Sequence, residues 1–115
     1  MVSIGNHMKM TLRDELRPRT RAFYGSMLGL KTVASPRADL DLYEFDGGFV
    51  LGIFFTAAAS EALDEPTHLK ATWLELKVDD FAAWKKRLKD FGVREVDFQA
   101  PGGQVFRLAR LDGDL

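Results

Sequence analysis

The sequence contains no cysteine, which excludes disulfides and thiolate-held metals. It also lacks a long apolar run. The longest, FVLGIFFTAAA at residues 49 to 59, is too short to span a bilayer and includes Gly52 and Thr56. Neither sign of charge dominates. A formal net charge of −1 argues against a general nucleic-acid binder, which would be clearly basic. The basic stretch RDELRPRTR, residues 13 to 21, is interrupted by Asp14 and Glu15 and has no interleaved aromatic residue, so it reads as a solvated face. No basic-then-apolar pattern opens the chain. A cytoplasmic protein with no membrane and no nucleic-acid partner is the expectation. No strand–glycine-rich–helix arrangement for phosphate and no G-x-S-x-G nucleophile is present; DGG and PGG read as turns.

What the chain does have is 115 residues, 46% hydrophobic and 29% charged, which fits one globular domain with a real core. Residues 80 to 91, DFAAWKKRLKDF, place Phe81, Trp84, Leu88 and Phe91 on one helical face. Asp79 or Asp80 suits the N-cap, and Gly92 the stop. A second helix falls within residues 18 to 28, with Pro18 in its first turn and Gly29 at its end. Strands flank both. Residues 7 to 12 alternate, with Met8, Met10 and Leu12 on one face and His7, Lys9 and Thr11 on the other. LKTVAS, DLYEF and FVLGIFFT follow the first helix, the last two joined by Asp46-Gly47-Gly48. TWLELKV at 72 to 78 alternates Leu74, Leu76 and Val78 against Trp73, Glu75 and Lys77. VREVDF and QVFRLAR follow the second helix, joined by Pro101-Gly102-Gly103. The order is strand, helix, three strands, then strand, helix, two strands and a stump after Asp112-Gly113. The expected organisation is one module at 1–56, a linker at 57–70 and a second module at 71–115.

Several of these residues together resemble the vicinal oxygen chelate superfamily, which includes glyoxalase I, bleomycin-resistance proteins, fosfomycin-resistance proteins and extradiol dioxygenases. They are His7 with Asp14 seven residues later, AFYGSMLGL at 22 to 30, LELKVDDF at 74 to 81, Phe91-Gly92, and the closing PGGQVFRLARLDGDL. The resemblance implies an α+β fold of two βαβββ modules, forming a curved mixed sheet around a cavity, here with the last strand missing or truncated. It implies helices on the convex side, a cavity-facing set that includes His7, Lys9, Thr11, Trp73, Glu75 and Lys77, and a homodimer that would also cover the open edge beside the seventh strand.

The family's chemistry uses a divalent metal held by four His or Glu side chains. Carried over position by position, the resemblance puts the first ligand at His7, the second near Gly52, the third at Trp73 and the fourth beyond Leu115. A lone imidazole does not build a catalytic metal site. The expectation is therefore no metal and no cofactor, unless a partner chain or residues outside this sequence supply ligands. His68 falls in the linker.

His7 and Glu75 are the candidate catalytic residues. His7 reads first as an ordinary strand histidine. Glu75 reads either as a base in an apolar cavity or as the partner of Lys9, Lys77 or Arg107. Tyr43, Phe54, Trp73 and Arg107 are the candidate ligand-binding residues: the aromatics for a flat or apolar ligand, Arg107 for an anionic group, against core packing or an edge-strand surface arginine. The leading expectation is a metal-independent binding protein of the glyoxalase/bleomycin-resistance type for a small apolar or aromatic ligand. The alternatives are a divergent metal-dependent lyase, isomerase or dioxygenase using His7 and Glu75, and an interaction subunit with a filled cavity.

Overall fold

Alternation in HMKMTLR produces strand β1, His7–Arg13, with Leu12 buried and His7, Lys9 and Thr11 exposed. The computed structural model describes residues 1–57 and 71–112. The chain divides into two compact units, Met1–Ser60 and Glu61–Leu115.

In the first unit a 3-10 turn, Asp14–Leu16, leads into α1, Arg17–Arg21, with Pro18 in its first turn. The helix continues as a wider π-type stretch, Ala22–Met27, where the Leu28 N–H reaches back five residues to the Phe23 carbonyl at 2.9 Å. Gly29, at φ +69°, ends it. Strands β2 (Lys31–Val33), β3 (Leu40–Glu44) and β4 (Val50–Thr56) complete a sheet of order β1-β4-β3-β2. Strand β1 runs parallel to β4, and the other pairs are antiparallel.

One face of this sheet carries Leu12, Leu51, Ile53, Phe55 and Tyr43, all buried. Tyr24 of the helix packs on Tyr43, ring centroids 5.5 Å apart, with Phe23 edge-on to Tyr24 at 4.9 Å. A charged cluster pins the same helix. Arg17 donates to Asp41 Oδ1 at 2.7 Å and Arg21 donates to Oδ2 at 2.8 Å. Arg17 also lies over the Phe55 ring at 4.9 Å. The basic stretch is thus more than a solvated face, because two of its arginines clamp one carboxylate that is only 11% exposed. Burial works to raise the Asp41 pKa, but the hydrogen bonds from Arg21 and Arg17 outweigh it and hold it at about 2.

In the second unit, β5 (Trp73–Val78) leads to α2 (Phe81–Phe91). The Asp80 side chain caps it by accepting from the Ala83 N–H at 3.1 Å, and Gly92, at φ +103°, closes it with the Val93 N–H returning to Leu88. Strands β6 (Asp97–Gln99) and β7 (Val105–Arg110) follow, in the order β5-β7-β6. Phe98, Phe106, Leu108 and Leu88 are buried, with Phe98 and Phe106 5.8 Å apart.

The second sheet has three strands against four in the first, so the expected shortfall is present among the described residues. The pairing identifies where it falls. Strand β7 runs parallel to β5 as β4 runs parallel to β1. The turns agree as well: Gly48 N–H to Phe45 O and Gly103 N–H to Ala100 O are both 3.0 Å, and both turns carry two glycines at positive φ. Strand β7 therefore takes the place of β4, the last strand of its module. It lies in the middle of its sheet and not beside an open edge. Among the described residues, the second module shows no counterpart of β2. Residues 93–96, expected to open a strand, form a tight link instead, and Val96 sits at φ +71°. That conformation is an outlier for a β-branched residue and stores strain.

Two outcomes are expected. Asp41 is held below its unfolded pKa of about 3.9, so its contribution is complete above that pH and disappears as pH falls through about 2. Asp41→Asn should lose on the order of 2 kcal/mol at neutral pH in urea unfolding, and the difference from wild type should vanish on acidification across that window. Val96→Gly should raise stability by about 1 kcal/mol, and Val96→Ala, which keeps a Cβ, by less.

Candidate functional site

A strand sends alternate side chains to opposite faces, so the face of the first sheet away from α1 is fixed by register. His7 lies beside Val50, Lys9 beside Gly52, and Thr11 beside Phe54. On β3, Leu42 flanks Gly52 and Leu40 flanks Phe54. Gly52 is buried although it bears no side chain, because its neighbours lean over it. A Cβ there would stand 3.1 Å from both Lys9 Cγ and Leu42 Cδ2, and 3.4 Å from Lys9 Cε. The Lys9 stem thus lies flat across the glycine. Phe54 is half-buried with the Arg37 guanidinium 5.3 Å from its ring centre, and Asp39 holds that guanidinium at 2.8 and 2.9 Å.

In the second unit Trp73 is 51% exposed at the start of β5. Glu75 lies beside Arg107, and Arg107 lies beside Asp97, so the guanidinium side chain emerges between two carboxylate-bearing neighbours. The side chains of Lys9, Glu75 and Arg107 form no hydrogen bond or ion pair within the described residues. Glu75 therefore does not have the partner that its simplest reading required. A shallow groove lined by Asp79, Phe81, Lys85, Lys89 and Arg110 lies along α2, on the helix side of this sheet and not on the face of Trp73.

His7 and Phe54 share one face of the first sheet, and Trp73, Glu75 and Arg107 share one face of the second. Tyr43 belongs to neither group. It pairs with Leu51 and is 2% exposed against Tyr24, so it is a core residue on the helix side. Its odd–even position relative to Phe54 cannot be read until the strand register is known. Arg107 is a central-strand residue, not an edge one. His68 lies outside the described residues.

Register also relates the two modules. Trp73 faces Val105 as His7 faces Val50, and two residues on, Arg107 occupies the place that Gly52 occupies in the first module. By register Arg107 is thus the second module's counterpart of Gly52 among the described residues. The signal that locates it is the shared Gly-Gly-x-Val of Gly47-Gly48-Phe49-Val50 and Gly102-Gly103-Gln104-Val105. Lys9 is expected on the cavity-facing side of β1 but not as a binding residue, because nothing in its own neighbours announces that it will cross Gly52.

No family model matches the sequence, and no curated protein matches it. Solved structures do match in fold. The fosfomycin resistance protein FosX from Listeria monocytogenes aligns at a TM-score of 0.72 and 15% identity, over 100% of this chain and 94% of that one. A glyoxalase family protein from Bacillus anthracis aligns at 0.71 and 15% identity, over 94% of each. Lactoylglutathione lyase from Agrobacterium tumefaciens aligns at 0.58 and 16%, over 90% of this chain and 92% of that one. These are vicinal oxygen chelate proteins, and the chain has their fold.

Gly52→Ala tests the packing of Lys9. The added methyl requires Lys9 or Leu42 to shift by a few tenths of an ångström, while the fold gains from a stiffer unfolded chain. Stability should change by less than about 1 kcal/mol, and the Lys9 side-chain resonances should move.

Proposed function

We propose that this chain binds a small apolar or aromatic ligand without a metal ion. Phe54 and Trp73 each offer an aromatic surface on the open face of its own sheet, and Arg107 and Glu75 supply polarity. The observation that carries the reading is the donor set at the four positions where the resemblance implies metal ligands. By register, the side chains that stand at those places in the described strands are His7, Gly52 crossed by Lys9, Trp73 and Arg107. One imidazole remains and no carboxylate. A lysine and an arginine bring positive charge, which opposes a divalent cation. Among the described residues no three His, Cys, Asp or Glu side chains cluster as metal ligands would. These residues do not fit the group, so no chemical step is derived through it.

The direct experiment is elemental analysis of purified protein, joined to thermal shift with Ni²⁺, Zn²⁺, Mn²⁺ and Fe²⁺. The expected result is no stoichiometric metal and no shift. Stoichiometric metal lost in His7→Ala would overturn the reading in favour of a metal-dependent enzyme. Ligand binding is read separately by tryptophan fluorescence in a Trp84→Phe background, where Trp73 reports alone. A neutral aromatic such as 1-naphthol should quench or shift that emission, and the ligand's own signal should show at least tenfold weaker binding to Trp73→Ala.

A further inference from the structure

The ligand class can be narrowed from the first sheet alone, given that the binding reading above holds. We infer that Lys9 and His7 form a binding site for an oxyanion, a carboxylate or phosphonate group carried by the aromatic ligand. Lys9 is exposed, yet its stem is not free in solvent: Cγ and Cε both lie against Gly52. The ammonium is one bond beyond Cε, so it stands close to Gly52 on the neighbouring strand β4. Any side chain larger than glycine at position 52 would compete for that space. The glycine is therefore what seats the cation.

His7 lies two residues before Lys9 on the same face of β1, roughly 7 Å away along the strand. An imidazole and an ammonium at that spacing can both donate to one group with several acceptor oxygens. The described acidic side chains on this face are Glu44, which lies beyond Val50 and pairs in register with Lys31, and Asp39, which is held by the Arg37 guanidinium over Phe54. Lys9 forms no ion pair of its own among the described residues. Phe54 lies two residues along β4 from Gly52 and on the same face. An aromatic ring bearing an oxyanion therefore meets the part of Phe54 that Arg37 leaves open and the Lys9 ammonium at once. Because the Lys9 stem is already packed, less side-chain freedom is lost on binding than for a solvated lysine. A fixed ammonium attracts an oxyanion as a metal ion does, but it offers no coordination position for substrate oxygens to fill.

The test uses phenylphosphonate and benzoate as anionic probes and benzamide as the neutral one, titrated by NMR against wild type and Lys9→Met. Methionine keeps an unbranched stem over Gly52 and removes the charge, and a urea midpoint confirms that the fold is intact. The expected result is that Lys9→Met weakens phenylphosphonate binding at least tenfold, leaves benzamide unchanged, and that Lys9→Arg restores most of the loss. Equal phenylphosphonate affinity in wild type and Lys9→Met would overturn the inference, as would benzamide binding as tightly as phenylphosphonate. Wild type that binds none of the three probes would overturn the aromatic-ligand reading itself, which separates the two failures.

Discussion

Parallel pairing of the first strand of each module with its last is the constraint on which the remaining structure depends. Parallel neighbours cannot be joined by a tight turn, so the chain must cross over, and here the crossover contains a helix. That helix covers one face of its sheet. The residues beneath it become core: Leu12, Leu51, Ile53 and Phe55 in the first unit, Phe98, Phe106 and Leu108 in the second. The other face is left to side chains at the intervening positions, which include His7, Lys9 and Phe54 in the first unit and Trp73, Glu75 and Arg107 in the second, beside aliphatic residues such as Leu42 and Val105. The same pairing sets which of them stand abreast. Lys9 meets Gly52 and Glu75 meets Arg107 because β1 and β5 align with β4 and β7 in one register. A slip of one residue would exchange core for surface along the whole strand.

The two modules meet this constraint with different amounts of chain. The first spends residues 31–44 on β2, a connecting loop and β3 before its closing hairpin. The second goes from Gly92 to β6 in a few residues, with no outer strand between them. The strained backbone of Val96 sits where that shortening occurs, and its carbonyl accepts from the Leu108 N–H at 2.6 Å. The closing hairpin itself is preserved, down to the two positive-φ glycines that let the chain reverse between β6 and β7. Among the described residues the second sheet has no outer strand beside β6, while the strand that carries Arg107 is in its centre.

Much of this was legible in the sequence, for identifiable reasons. Alternation in HMKMTLR and WLELKV gives both strand and face, and the Asp80 and Gly92 signals bracket α2 correctly, because caps are local chemistry. The pairing partners were harder. Asp112-Gly113 reads locally as a hairpin turn, which made the preceding strand look like the penultimate one. Only long-range pairing reveals β7 as the closing strand, and no local signal encodes which distant strand a segment joins. Tyr43 was placed on the wrong face for the same reason, since DLYEF carries apolar or aromatic residues at both parities. The arginines of the first helix looked solvated because Asp41, their partner, is twenty residues and more away along the chain.

The chemistry of the open face follows from one missing side chain. A carboxylate at position 52 would have filled the space over β4 and drawn positive charge toward it, whether a metal ion or the neighbouring lysine. With glycine there, the Lys9 stem occupies the space and its own charge stays unpaired among the described residues. Lys9 is exposed, so water solvates that charge, and an anionic ligand would gain the attraction of an ammonium that no described carboxylate already holds. Arg107 repeats the exchange at the equivalent place in the second module, although there Glu75 and Asp97 flank the charge. Replacing acceptors by donors at both positions changes the kind of ligand the fold can hold. A site built from carboxylates and imidazoles selects a cation first and a substrate through it, whereas a lysine and an arginine, as the inference above has it, would meet a ligand's negative oxygens directly.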